Sequence, residues 1–198
     1  CLEQIIPESV AAEGSSCIWN PVLMNTPRTG SEAMGTPFVI NPIYNGGTGA
    51  RFMKDGLSTT AFPSGVRTTP TEINEVTSPL IFDRREFLQD SGGRGRRRGG
   101  LGQVVEIRHG AGDSFVVSRM FDRIEHPARG RAGGENGRPG NVYIKDGVSL
   151  RGKGKDVVPA GATLVLETPG GAGYGDPLER EEIDIRGDLE DGFVSDHS

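Results

Sequence analysis

Cysteine is nearly missing. Cys1 and Cys17, the two in 198 residues, offer neither a disulfide framework nor a metal spacing, which fits a reducing compartment. Histidine is as scarce: His109, His126 and His197 form no ligand cluster with acids, and His109 reads as a solvent-exposed turn residue. No apolar run approaches the ~20 residues of a membrane span, and no signal peptide is visible, so the expected location is cytoplasmic. A net charge of −5 argues against general nucleic-acid affinity. Hydrophobic residues make up only 34%, which leaves little for long amphipathic helices. What the chain has in plenty is glycine, 31 residues, and this favours turns and short strands. The first residue is Cys, not Met, and the chain reads as a fragment or a processed piece.

One stretch stands out, Asp90-Ser-Gly-Gly-Arg-Gly-Arg-Arg-Arg-Gly-Gly-Leu-Gly102. It holds six glycines and four arginines in thirteen residues of an acidic chain. Glycine permits φ > 0 and close approach of backbone, and arginine carries a permanently charged planar fork. Asp-Ser-Gly-Gly is also the nucleophile loop of trypsin-like proteases, but there the base His precedes the Ser, and all three histidines here follow Ser91. An arginine-glycine box for RNA is normally repeated and disordered, whereas this run is single and flanked by strand-like sequence. A P-loop would close on Gly-Lys-Ser/Thr, which Arg98-Gly99-Gly100 does not supply. The stretch is therefore expected to be an ordered loop between two strands, Leu80–Leu88 and Gly102–Arg108.

Around it the chain alternates short apolar runs with breakers. A helix-turn is expected before Ala12, a strand over Ser15–Leu23, a loop over Met24–Thr36, and short strands at Phe38–Ile40, Ile43–Tyr44 and Ser58–Phe62. Asn45–Gly56 is a second glycine-rich loop and reads as a wide turn with solvated Arg51 and Lys54. Thr69-Pro70-Thr71-Glu72 is a helix start, with Thr69 as N-cap and Pro70 at the first helical position. Gln103–Arg108 and Ser114–Phe121, joined by a Gly-rich connector, read as a hairpin. Pro127–Gly140 is a third Gly/Arg loop. Asn141–Ile144 and Val148–Leu150 flank an Asp-Gly turn, and Thr163–Thr168 is the clearest strand. The tail from Asp176 to Ser198 carries nine acids against two arginines. It suits a surface helix from Pro177 to Gly192 with a solvated acidic face, or one paired with the arginine loops. The fold class is α+β and β-rich, with Gly-rich loops joining short, mostly antiparallel strands and few short helices.

Several of these segments occur together in one known family: Asn45-Gly-Gly-Thr-Gly-Ala-Arg51 with Lys54-Asp-Gly56, Pro70-Thr-Glu-Ile-Asn-Glu75, the arginine loop, Pro169-Gly-Gly-Ala-Gly-Tyr-Gly-Asp-Pro177 and Asp191-Gly-Phe-Val-Ser195. In this the chain resembles the hydantoinase B/oxoprolinase family, and all of residues 1–198 would be the C-terminal portion of such a B-type chain. Thr48 and Ala172 stand where the family pattern has glycine. The resemblance implies ATP-dependent opening of a cyclic amide such as 5-oxoproline or a hydantoin, after phosphoryl activation of the ring carbonyl. The alternatives are a related ATP-dependent ketone carboxylase and a non-catalytic scaffold domain. ATP with Mg would belong to an A-type partner subunit or domain, and a divalent metal to the N-terminal half of the B part. No metal ligand is expected in this stretch. The fragment by itself is expected to be inactive.

In such chemistry a transient negative charge is best met by arginine forks and backbone N–H groups in a dry site. Asp90, Ser91, Gly92, Gly93, Arg98 and Arg51 are the candidate substrate-binding residues, and the catalytic residues stay unassigned. Arg98 precedes the Gly-Gly pair, and its expected partner is a substrate anion or an internal carboxylate such as Asp90 or Glu75.

Overall fold

The computed structural model describes residues 2–15, 18–26, 37–60 and 65–195. Its helices are α1 (Leu2–Ile5), α2 (Thr71–Thr77) and α3 (Glu182–Glu190), with 3-10 turns at Pro7–Ser9 and Pro177–Glu179. Its strands are β1 (Ile18–Trp19), β2 (Val22–Asn25), β3 (Val39–Ile40), β4 (Tyr44–Asn45), β5 (Leu80–Phe87), β6 (Gln103–His109), β7 (Phe115–Met120), β8 (Asn141–Ile144), β9 (Lys153–Val158) and β10 (Thr163–Glu167). The β-rich expectation holds, and every strand pairing is antiparallel.

Two four-stranded sheets, ordered β5-β6-β10-β8 and β3-β2-β7-β9, face each other, and β1 pairs with β4 as a small third sheet. Alternation puts one apolar set of each sheet inward. Val105, Ile107, Leu164, Leu166 and Val142 meet Leu23, Phe115, Val117 and Val158 in a single buried cluster. Trp19 closes one end of that cluster. Its ring stacks on Phe121 at 4.2 Å, and its Nε1 donates to the Asp122 carbonyl at 3.2 Å.

Several elements differ from the sequence reading. Ser15–Leu23 is not one strand: Pro21 separates β1 from β2, which lie in different sheets, and residues 16 and 17 fall outside the described set. β6 and β7 are not a hairpin. The short Gly-rich link between them carries the chain from one sheet to the other, because both strands have apolar faces that must meet across the core. His109 ends β6 on the inward register and is buried, and its Nδ1 accepts from Ala111 and Asp113 N–H groups at 3.2 Å. β9 is an added strand that pairs with β7; its Lys-Gly-Lys-Asp run gave no apolar signal. Residues 58–60 form no strand, and 61 and 62 fall outside the described set, as do 27–36 of the expected loop. Pro70, not Thr69, takes the N-cap position of α2, without a side-chain cap bond. The turn at Lys145–Gly147 is as expected: Ile144 N–H donates to Val148 O, and Leu150 N–H to Val142 O.

Candidate functional site

The glycine-rich segments come together at one end of the sandwich. They are not turns. None of Gly92, Gly93, Gly95, Gly99, Gly100 and Gly102 has a positive φ; in the arginine loop that conformation falls to Asp90, at 57°. The glycines are there because backbone packs directly on backbone. A Cβ on Gly171 would lie 1.9 Å from the Thr48 carbonyl oxygen, and one on Gly99 1.9 Å from the Gly171 oxygen. Hydrogen bonds tie the layers: Gly93 N–H to Gly171 O at 2.8 Å, Gly171 N–H to Gly100 O at 2.9 Å, and Gly100 N–H to Thr48 O at 2.9 Å. With backbones this close only small side chains fit between them, and the local core is Ala12, Ala50, Ala128 and Ala172 around Tyr174. The first half of this loop, residues 45–50, is thus a packed wall, with Gly47, Gly49 and Ala50 buried, while 51–54 form an outer turn with Arg51 partly exposed and Lys54 exposed.

Because those N–H groups already donate to carbonyls, Gly93, Gly99 and Gly100 form no phosphate-cradling nest here. Ser91 is fully buried; its Oγ donates to Leu88 O and accepts from Gly102 N–H, which closes the loop on itself. Asp90 is exposed at the rim. Its N–H donates to Phe193 O at 3.1 Å, and its carboxylate accepts from Ser195 N–H at 2.9 Å. Gly92 packs against Gly99 O. Arg51 is partly exposed, and its Nη2 donates to the Asp55 carbonyl at 3.3 Å.

Arg98 is buried with an internal carboxylate that the sequence reading did not name. Its Nε donates to Asp188 Oδ1 at 3.1 Å, its Nη1 to Gly99 O at 2.7 Å, and its guanidinium lies 5.0 Å from the Phe193 ring centre. Asp188 also accepts from Arg180 Nη2 at 2.6 Å, and Arg180 reaches Asp55 at 2.9 and 3.0 Å. Asp55 further accepts the Arg98 backbone N–H at 2.8 Å. Two arginines and two aspartates thus alternate in one network, buried at Arg98–Asp188 and partly exposed at Asp55, with each charge compensated by its neighbours. Burial pushes the Asp55 carboxyl up, but the bonds and charge of Arg180, with the Arg98 N–H, hold it below its ordinary value.

The same docking extends along the loop. Arg97 pairs with Asp184 at 2.7 Å and with Glu181 at 3.9 Å, and Arg96 approaches Glu179 at 3.8 Å. α3 therefore turns Asp184 and Asp188, one helical turn apart, toward the arginines, while Ile183 stays 75% exposed. Asp184 and Asp188 are engaged with the arginine loop, while Glu182, Glu190 and Asp191 stay exposed. Nine acids against four nearby arginines were visible in the sequence; which acids turn inward depends on where the helix is anchored.

The sequence model of hydantoinase B/oxoprolinase matches residues 1–177, a stretch that includes all four glycine-rich segments. The chain belongs to the hydantoinase B/oxoprolinase family. It is 32% identical to the putative B-type subunit of a D-/L-hydantoinase from Pseudomonas sp. (strain NS671), over 80% of this chain and 28% of that protein. It is 33% identical to 5-oxoprolinase 1 of Arabidopsis thaliana, over 87% of this chain and 14% of that protein. A nucleotide-free structure of acetone carboxylase shares the fold, with a TM-score of 0.75 at 21% identity, over 96% of this chain and 30% of that one. The chain thus spans only part of these curated relatives, 28% of the hydantoinase subunit and 14% of the oxoprolinase.

Among the described residues no three His, Cys, Asp or Glu side chains gather as a metal site. The residues present therefore do not fit the metal that the family resemblance implies. None of the described helices is long and apolar enough to cross a membrane.

Proposed function

We propose that this chain is the C-terminal part of a B-type subunit, or B half, of an ATP-dependent enzyme that opens cyclic amides of the 5-oxoproline or hydantoin type. The family match over residues 1–177 carries this reading, supported by relatives whose names specify hydantoinase and 5-oxoprolinase. In it an A-type partner binds ATP with Mg and activates the ring carbonyl, and a divalent metal belongs to the part of the protein N-terminal to this chain. The chain works in the cytoplasm and, alone, turns over neither ATP nor amide.

Its own contribution is a rigid wall. Ser91, Gly92 and Gly93 set the wall's shape, Asp90 ties it to the C-terminal segment, and Arg98 locks it from beneath. Arg51, with a partly exposed guanidinium, is the substrate-facing member of the group. The test uses the complete two-part enzyme. ATP hydrolysis stimulated by 5-oxoproline or a hydantoin, with release of the ring-opened acid, is the expected result. ATP use that needs a ketone and bicarbonate would replace this reading with a carboxylase, and no substrate-dependent ATP use would leave a scaffold.

A further inference from the structure

Beside the Arg98–Asp188 pair lies a half-open pocket of about 110 Å³. It has room for three or four waters at about 30 Å³ each, the size of one carboxylate or phosphate group. Arg94, Arg98 and Arg180 supply its charge together with Asp188, and Ile185 and Val194 are among its apolar walls. Three arginines and one aspartate thus line one half-open space, with Arg98 and Arg180 bonded to that aspartate.

The Asp188 carboxylate is already engaged, one oxygen with Arg98 and the other with Arg180. Arg180 is further balanced by Asp55. Arg94 is different. It meets Glu135 only at 4.0 Å, with both side chains about half exposed, a contact worth little in water. Its fork can turn to an incoming anion at small loss, while Arg98 and Arg180 are held by Asp188 and Asp55.

We propose that this pocket binds a small oxyanion, a carboxylate or phosphate group, with Arg94 as its main contact. The site joins two parts of the chain. Arg94 and Arg98 come from the arginine loop, and Arg180, Ile185, Asp188 and Val194 from the C-terminal segment. An anion bound there bridges the two, so it stabilises the docked segment by mass action. This inference does not depend on amide opening; the pocket's charge and walls would be the same in a carboxylase.

The complete B-type chain is titrated with inorganic phosphate and, in a separate arm, acetate, against chloride at matched ionic strength, and amide hydrogen exchange is followed over residues 178–195. At least one anion slows that exchange saturably, and Arg94→Gln weakens the effect tenfold or more. Arg186→Gln, on the outer side of α3 where Arg186 meets only exposed Glu182, leaves it unchanged. Protection by phosphate alone marks a tetrahedral-oxyanion site, and protection by both a general carboxylate-sized one. The proposal fails if neither anion protects beyond chloride, or if Arg94→Gln responds like the unaltered protein.

Discussion

Replacing Arg98 by lysine separates a locking role from a substrate contact, because it keeps the charge and removes the fork. In the native network Arg98 uses Nε on Asp188 at 3.1 Å and Nη1 on Gly99 O at 2.7 Å, and stacks over Phe193. A lysine nitrogen in this space can replace one of those bonds, not both. Losing one bond that involves a charged group costs about 1.5–3 kcal/mol. Losing the stacked guanidinium adds about 0.5–1 kcal/mol. The total, about 2–4 kcal/mol, stays near or below the ~3–5 kcal/mol of leaving a buried charge unpaired, because Arg180 still holds Asp188 at 2.6 Å. The weakened unit is the docked C-terminal segment, so the cost appears as local opening rather than global unfolding. At 1.4 kcal/mol per tenfold, amide exchange in residues 178–195 of the complete B-type chain should speed by about 30- to 700-fold. Amides of β6 and β10 should be unaffected, and turnover per folded molecule should persist. Unchanged exchange together with lost turnover would refute the reasoning and place Arg98 at the substrate.

Gly171→Ala forces a Cβ to 1.9 Å from the Thr48 carbonyl, a backbone atom that cannot rotate away; thermal denaturation should show a loss of about 3 kcal/mol or failure to fold. Gly187→Ala, inside α3 where an added Cβ meets nothing within 4 Å, should instead stabilise the docked helix by about 0.5–1 kcal/mol, seen as slower exchange there. Asp55 has a folded-state carboxyl held below its ordinary value of 3.8, so its contribution is present above that value and is lost as pH falls through the lower folded one. Exchange in residues 178–195 should therefore quicken below about pH 4, and Asp55→Asn, which cannot titrate, should flatten that dependence.

Composition and local pattern determined a good deal by themselves. Thirty-one glycines with few large apolar residues pointed to a β-rich chain of short elements, and the short apolar, β-branched runs at Val104–Ile107 and Leu164–Leu166 marked the central strands directly. Such signals are local, because a strand's period of two is written in its own residues. Strand partners are not. β6 and β7 are neighbours in sequence yet lie in opposite sheets, and β9, a Lys-Gly-Lys-Asp edge strand, exists only because β7 had a free side to pair. The glycine loops show the same divide. Their residue type was plain, but the reason for it, a missing Cβ where carbonyls of distant segments pass within 2 Å, depends on four segments meeting. Arg98 was identifiable as a fixed charge, while Asp188, ninety residues away, became its partner only through the docking of α3. The sequence specified which charges and which missing side chains were available; tertiary packing decided what each one meets, because compensation of a buried charge and clearance between backbones are properties of contacts between remote residues.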